Sequence, residues 1–145
     1  MCDGCGPKAS LQDVLEALNA GACVGRIQLL GQHFGDSGSE ELANALRASI
    51  ERGTCKTHSI YLMNNDIKDS GLIAILQALK GNKTVTSLNF NGNKVGNDGA
   101  RALADYVRVE PTIQNVYLMN NPVGNDGIDA LSSAKQDIPT VQLFF

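Results

Sequence analysis

Residues Tyr61–Gly71 read YLMNNDIKDSG, and Tyr117–Gly127 read YLMNNPVGNDG. The first five residues of the two stretches are identical and lie 56 positions apart (117 − 61). Between them, Thr84–Leu103 (TVTSLNFNGNKVGNDGARAL) aligns with both. Aliphatic residues recur at Ile60, Leu88 and Val116 in steps of 28, and the next step lands on Phe144. Asparagine recurs with the same step at Asn65, Asn93 and Asn121, and glycine at Gly71, Gly99 and Gly127. An earlier copy begins at Val24 and carries Ile27, Leu29, Gln32, Phe34 and Gly38 in the matching slots. It precedes the second copy by 33 positions (60 − 27), so its helix or loop holds five extra residues.

Each copy reads apolar-x-x-apolar-x-apolar-x-x-Asn-x-apolar, as in Val85, Leu88, Phe90, Asn93 and Val95. Alternation at Leu88 and Phe90 puts both side chains on one face of a short strand. An Asn two or three residues later can turn inward and bond loop backbone that no sheet partner satisfies. Gln32 takes that slot in the first copy, which predicts a weaker ladder there. The second half of each copy is helical: Ala100, Leu103, Ala104 and Val107 follow helical spacing. Ser37, Ser70, Asp98 and Asp126 precede the glycine column and are expected to cap the helix N-termini. Strands are expected near residues 25–30, 58–63, 86–91 and 114–119, with a fifth near 141–144.

This is the leucine-rich repeat pattern. The long, helix-rich units, through NNDIKDSG, NGNKVGNDG and NNPVGNDG, resemble the ribonuclease-inhibitor-like subfamily over residues 24–145. The resemblance implies an α/β fold: a short right-handed solenoid with parallel strands on its concave face and helices on its convex face. It also implies a protein-binding role, since repeats of that subfamily serve many partners. Residues 1–23 are expected to form a tail and capping helix, and residues 24–145 one continuous domain of about four repeats plus a terminal strand. Some members of the subfamily activate a GTPase, but this chain is much shorter and has no acidic tail, so that role is not expected.

The two ends differ. Ser10 and Asp13 form a capping box ahead of Leu11, Val14, Leu15 and Leu18, and Gly21 is placed to end the helix. Such a helix covers the first unit, as a terminal cap must. At the other end the helix column Leu46, Leu79, Val107 turns to Lys135, and LSSAK is poor in apolar residues. The last half-copy is expected to leave an unprotected strand edge.

Strand positions between the apolar ones should face the concave surface. They are Arg26, Gln28 and Leu30; Ser59, Tyr61 and Met63; Ser87, Asn89 and Asn91; Asn115, Tyr117 and Met119; and then Leu143 and Phe145. Tyr and Met supply adaptable apolar area with little charge to desolvate, so this set is the candidate surface for a protein partner. The competing explanation is that duplication copied these residues without purpose. A second functional reading is self-association through the C-terminal strand edge, giving a homo-oligomer.

A net charge of −3 and scattered basic residues argue against nucleic acid. No run reaches membrane-spanning length, and the N-terminal MCDGCGPKAS has no apolar core. The expectation is a cytoplasmic protein with reduced cysteines. Cys2 and Cys5 with Cys23 and Cys55 make a notional zinc set, which the intervening cap helix argues against by separating Cys5 from Cys23. His33 and His58 match no catalytic motif, and GNKT at residues 81–84 is not a phosphate loop. Asp126 and Asp129 read as helix-terminal and helix-face carboxylates rather than an acid pair. Neither catalysis nor a cofactor is expected.

Overall fold

The structure, a computed structural model, describes residues 9–145. Five helices alternate with five three-residue strands: α1 Leu11–Asn19, β1 Arg26–Gln28, α2 Gly35–Glu51, β2 Ser59–Tyr61, α3 Asp69–Ala78, β3 Ser87–Asn89, α4 Asn97–Val109, β4 Asn115–Tyr117, α5 Asn125–Asp137 and β5 Gln142–Phe144. The strands form one parallel sheet in the order β1-β2-β3-β4-β5. They are shorter than the spans expected from sequence, although single ladder bonds reach further, from the Gly31 N–H to the Met63 carbonyl for example. The five extra residues of the first copy lengthen its helix, since α2 has 17 residues.

The apolar columns meet between sheet and helices. Ile27, Ile60, Leu88 and Val116 pair in register, and all four are buried with Leu29, Leu62, Phe90 and Leu118 directly behind them. Helix residues Leu46, Leu79, Leu103 and Val107 close the core from the other side. Each such aliphatic side chain contributes about 1.5–3 kcal/mol by leaving water.

The asparagine column bonds backward, each residue holding its own copy to the preceding one. Asn93 Oδ1 accepts from the N–H groups of Asn65 (2.9 Å) and Ile67 (3.0 Å), while its Nδ2 donates to the Leu62 (2.8 Å) and Phe90 (2.9 Å) carbonyls. Asn65 does the same with Gln32 N–H (2.7 Å) and the Leu29 carbonyl (2.6 Å), and Asn121 with Val95 N–H and the Phe90 carbonyl (both 3.0 Å). Gln32 keeps this backward role with a longer arm. Its Oε1 accepts from Leu11 N–H (2.9 Å) and its Nε2 donates to the Ala9 carbonyl (2.8 Å), tying the first repeat to the capping helix.

The capping box at α1 is formed: Ser10 Oγ accepts from Asp13 N–H, and Asp13 accepts from Ser10 N–H. That second bond, with the Ser10 hydroxyl, holds the Asp13 carboxyl below its ordinary pKa. Past the helix, Gly21 turns with φ +75°, and Arg52 donates to the Leu18 carbonyl to fasten α1 to the end of α2.

The other helix caps correct the sequence expectation. Ser37, Ser70, Asp98 and Asp126 do not cap; α2 has no side-chain cap, and the acceptors for α3, α4 and α5 come from the preceding repeat. Asp36 Oδ1 accepts from the N–H groups of Lys68 (2.8 Å) and Gly71 (3.0 Å) at the start of α3, and its Oδ2 from the Ser70 hydroxyl. Asp69 accepts from Gly96 N–H (2.6 Å) ahead of α4, and Asn97 from Gly124 and Gly127 N–H ahead of α5. This explains the glycine column. A Cβ on Gly99 would lie 2.7 Å from Asp69 Oδ1, and one on Gly127 would lie 2.8 Å from Asn97 Oδ1. Gly71 meets Asp36 Oδ1 more closely still.

The last strand supplies a second correction. The pairing Val116↔Leu143 and Tyr117↔Phe144 makes the final step 27 residues rather than 28. Two residues, Gln114 and Asn115, separate buried Ile113 from Val116, whereas Gln142 alone separates buried Val141 from Leu143. The backbone records the deletion. The Thr86 carbonyl accepts from both Gln114 and Asn115, and the His58 carbonyl from both Thr86 and Ser87, while the Gln114 carbonyl takes Gln142. Leu143 is therefore a core residue, 3% exposed, and not part of the strand surface.

Cys2 and Cys5 lie outside the described residues. Cys23 is disulfide-bonded, which departs from the expectation of reduced cysteines, and Cys55 is a buried free thiol.

Candidate functional site

Three rows of side chains cross the sheet on the face turned away from the helices. The first is Arg26, Ser59, Ser87, Asn115 and Gln142, and the second Gln28, Tyr61, Asn89, Tyr117 and Phe144. Leu30, Met63, Asn91 and Met119 follow just beyond the strands. Phe144 takes the place expected for Leu143, and the same slip moves Phe145, 41% exposed, out of the strand-face set and into the column of core residue Leu118.

The middle row carries three rings, two of them adjacent. Tyr117 and Phe144 stack with centroids 4.8 Å apart and planes 10° from parallel, a geometry that adds about 0.5–1.5 kcal/mol to the apolar burial. At the other end the Arg26 guanidinium stands over the Tyr61 ring, 5.8 Å from its centroid. Leu30 (43% exposed), Met119 (41%) and Phe144 (39%) are large apolar side chains left open to solvent along this face. Ser59 and Ser87 are too buried to offer contact area.

Asn89 and Asn91 sit half-buried at the centre and are oriented by the backbone. Asn89 Oδ1 accepts from Asn91 N–H (2.9 Å), and Asn91 Oδ1 accepts from Met119 N–H (2.8 Å). Both amide NH2 groups are left as donors with no partner in the described chain.

Elsewhere the candidate chemistry is bland. His33 is exposed and pairs with Asp66 (2.7 Å), which also meets Lys94 (3.3 Å). The His33 bond, then the Lys94 bond, hold the Asp66 carboxyl below its ordinary pKa. His58 bonds its neighbour Ser59. Asp126 of α5 meets Arg101 of α4 (3.3 Å), which also holds Asp98 (2.8 Å). Asn82 of GNKT is a buried turn residue whose Oδ1 accepts from Thr84 and Val85 N–H. Among the described residues no group of three or more His, Cys, Asp or Glu is placed to hold a metal. No helix among them is long and apolar enough to cross a membrane. Sequence reasoning missed Phe144, because a 28-residue step assigned it to the core.

The comparisons agree with this architecture. The family model described as leucine-rich repeat matches residues 58–76 and 81–104. Among solved structures, leiomodin-1 Actin-Binding Site 2 superposes with a TM-score of 0.77 at 19% identity, covering 90% of this chain and 75% of that one. The tropomodulin C-terminal domain of Caenorhabditis elegans gives 0.75 at 15% identity, covering 94% and 83%. No curated protein sequence matches the chain. With the repeat and sheet described above, these findings show a leucine-rich repeat fold, a short α/β solenoid.

Proposed function

We propose that the chain is a non-catalytic interaction module that binds a protein through the strand face. Its contacts would come from Arg26, Gln28, Leu30, Tyr61, Met63, Asn89, Asn91, Tyr117, Met119 and Phe144. The observation that carries this reading is the ring-and-thioether surface held open on a rigid sheet, with Leu30, Met119 and Phe144 each about two-fifths exposed. A surface preorganised by backbone ladders spends little ordering entropy on binding. The leiomodin-1 neighbour is named as an actin-binding site, which makes actin the first protein to offer in a test. A cytoplasmic setting belongs to this reading; the disulfide at Cys23 counts against it, and cell fractionation would decide.

The test is a pulldown from native extract, with purified actin as a separate arm, using the parent and a Tyr61→Ala, Tyr117→Ala double variant. The variant should remain folded, losing only a few degrees of thermal midpoint with the Tyr117–Phe144 stack and the Arg26 contact, and lose most partner retention. Aromatic anchors at interfaces carry about 2 kcal/mol or more each. Undiminished retention would sink the strand-face reading.

A second reading, self-association at the C-terminal edge, draws on β5 being the edge strand with Phe144 and Phe145 exposed beside it. Light scattering of the parent and a Phe145→Asp variant separates the two. A parent oligomer that becomes monomeric on substitution favours assembly, and a monomeric parent removes this reading.

A further inference from the structure

We infer that the strand face is built to take an acidic protein segment lying across the strands, its carboxylates toward β1 and its apolar side chains toward β5; this rests on the strand-face reading above. Charge is the first reason. The molecule carries 15 acidic against 12 basic residues, yet among the described strand-face positions none is Asp or Glu, and Arg26 is the one ion. A net-negative protein that clears carboxylates from a single face presents that face to negative charge.

Hydrogen-bond direction is the second reason. Asn89 and Asn91 each engage the carbonyl oxygen with one backbone N–H, that of Asn91 and of Met119, while neither amide NH2 has a partner among the described residues. Each amide therefore offers two unused donors against one remaining lone pair, so the centre of the face favours acceptors, which in a protein are carboxylates and backbone carbonyls.

The polarity of the face sets the direction. Arg26 over Tyr61 lies at the β1 end, and the Tyr117–Phe144 stack lies at the β5 end. Four strand spacings of about 4.8 Å separate the two ends, about 19 Å, which about six extended residues span at about 3.3 Å each. The segment is therefore short, with acid at one end and an apolar or aromatic side chain at the other.

Fluorescence anisotropy with three labelled eight-residue peptides tests this. One carries three glutamates in one half and Leu and Phe in the other, the second replaces the glutamates with glutamine, and the third with lysine. The acidic peptide should bind best and the lysine peptide worst, about tenfold or more apart, with the gap narrowing as salt rises. Arg26→Glu should erase that order. Asn89→Asp and Asn91→Asp keep the acceptor oxygen each backbone bond needs but remove the outward donor. Each should weaken the acidic peptide about tenfold, the equivalent of one lost charge-assisted bond, while the melting midpoint stays near the parent's. Equal binding of all three peptides, a preference for lysine, no peptide binding, or acidic binding indifferent to these variants would each overturn the inference. So would a dimer in sedimentation that covers Asn89 and Asn91. The pulldown with the tyrosine double variant reads protein binding irrespective of charge, so its outcome is independent of these.

Discussion

The two ends of this stack are finished in different ways. At the N-terminal end the first repeat meets a built cap. Gln32 reaches back to Ala9 and Leu11, Arg52 reaches to the Leu18 carbonyl, and α1 buries Val14, Leu15 and Leu18. At the C-terminal end the same devices recur without partners among the described residues. Asn125 stands next in the column of Asp36, Asp69 and Asn97, but it is exposed and caps no helix among the described residues. β5 has a neighbour on one side only. The contrast shows how the repeat works. Each unit bonds backward through its asparagine and forward through its capping acceptor, so a substitution should matter in proportion to how many neighbours it joins.

The interior core should respond most strongly. Leu88→Ala, between two paired strands and behind a helix layer, should cost about 2–5 kcal/mol in urea denaturation. A loss under about 1 kcal/mol would mean that the sheet and helix layers can collapse onto the gap. The asparagine ladder comes next. Asn93→Ala orphans the Asn65 and Ile67 N–H groups and should cost about 1–3 kcal/mol. Gln32→Ala breaks exposed bonds to the cap and should cost less than half as much. Equal losses at the two sites would break the distinction between interior and end.

Forward caps should rank third. Asp36→Ala removes two amide bonds and one hydroxyl bond at the start of α3, at a cost of about 0.5–2 kcal/mol. Asn125→Ala, the same column at the open end, should be indistinguishable from the parent. The smallest effect should be that of the loop ion cluster. The Asp66 carboxyl is held low by His33 and Lys94, so its stabilisation is present above the ordinary Asp range and lost as pH falls through its folded-state value. Asp66→Asn should therefore converge with the parent in acid and separate slightly from it near neutrality. A difference that grows in acid would reverse the assignment.

Much of this could be read from residues alone where a column repeats at constant spacing. Leu88, Asn93 and Ala100 declare strand, turn and helix because each has counterparts 28 positions away. The capping acceptors were illegible for a different reason. Asp69 lies beside Ser70, and local reading assigns caps within a helix, whereas the bond from Gly96 to Asp69 spans 27 residues. The slip at β5 was hidden because Leu143, Phe144 and Phe145 are all apolar, so hydrophobicity could not choose among registers. Only the missing residue between Val141 and Leu143, seen in the backbone bonds, places Phe144 on the strand face.

That register carries both the fold and the proposed surface, and one paired measurement tests it. Leu143→Ala and Phe144→Ala are compared for thermal stability and for retention of the pulldown partner. The account predicts that Leu143→Ala lowers the melting midpoint by several degrees, whereas Phe144→Ala, which loses the half-exposed stack on Tyr117, lowers it less and weakens retention. The reverse pattern, with Phe144 needed for stability and Leu143 for binding, would contradict it.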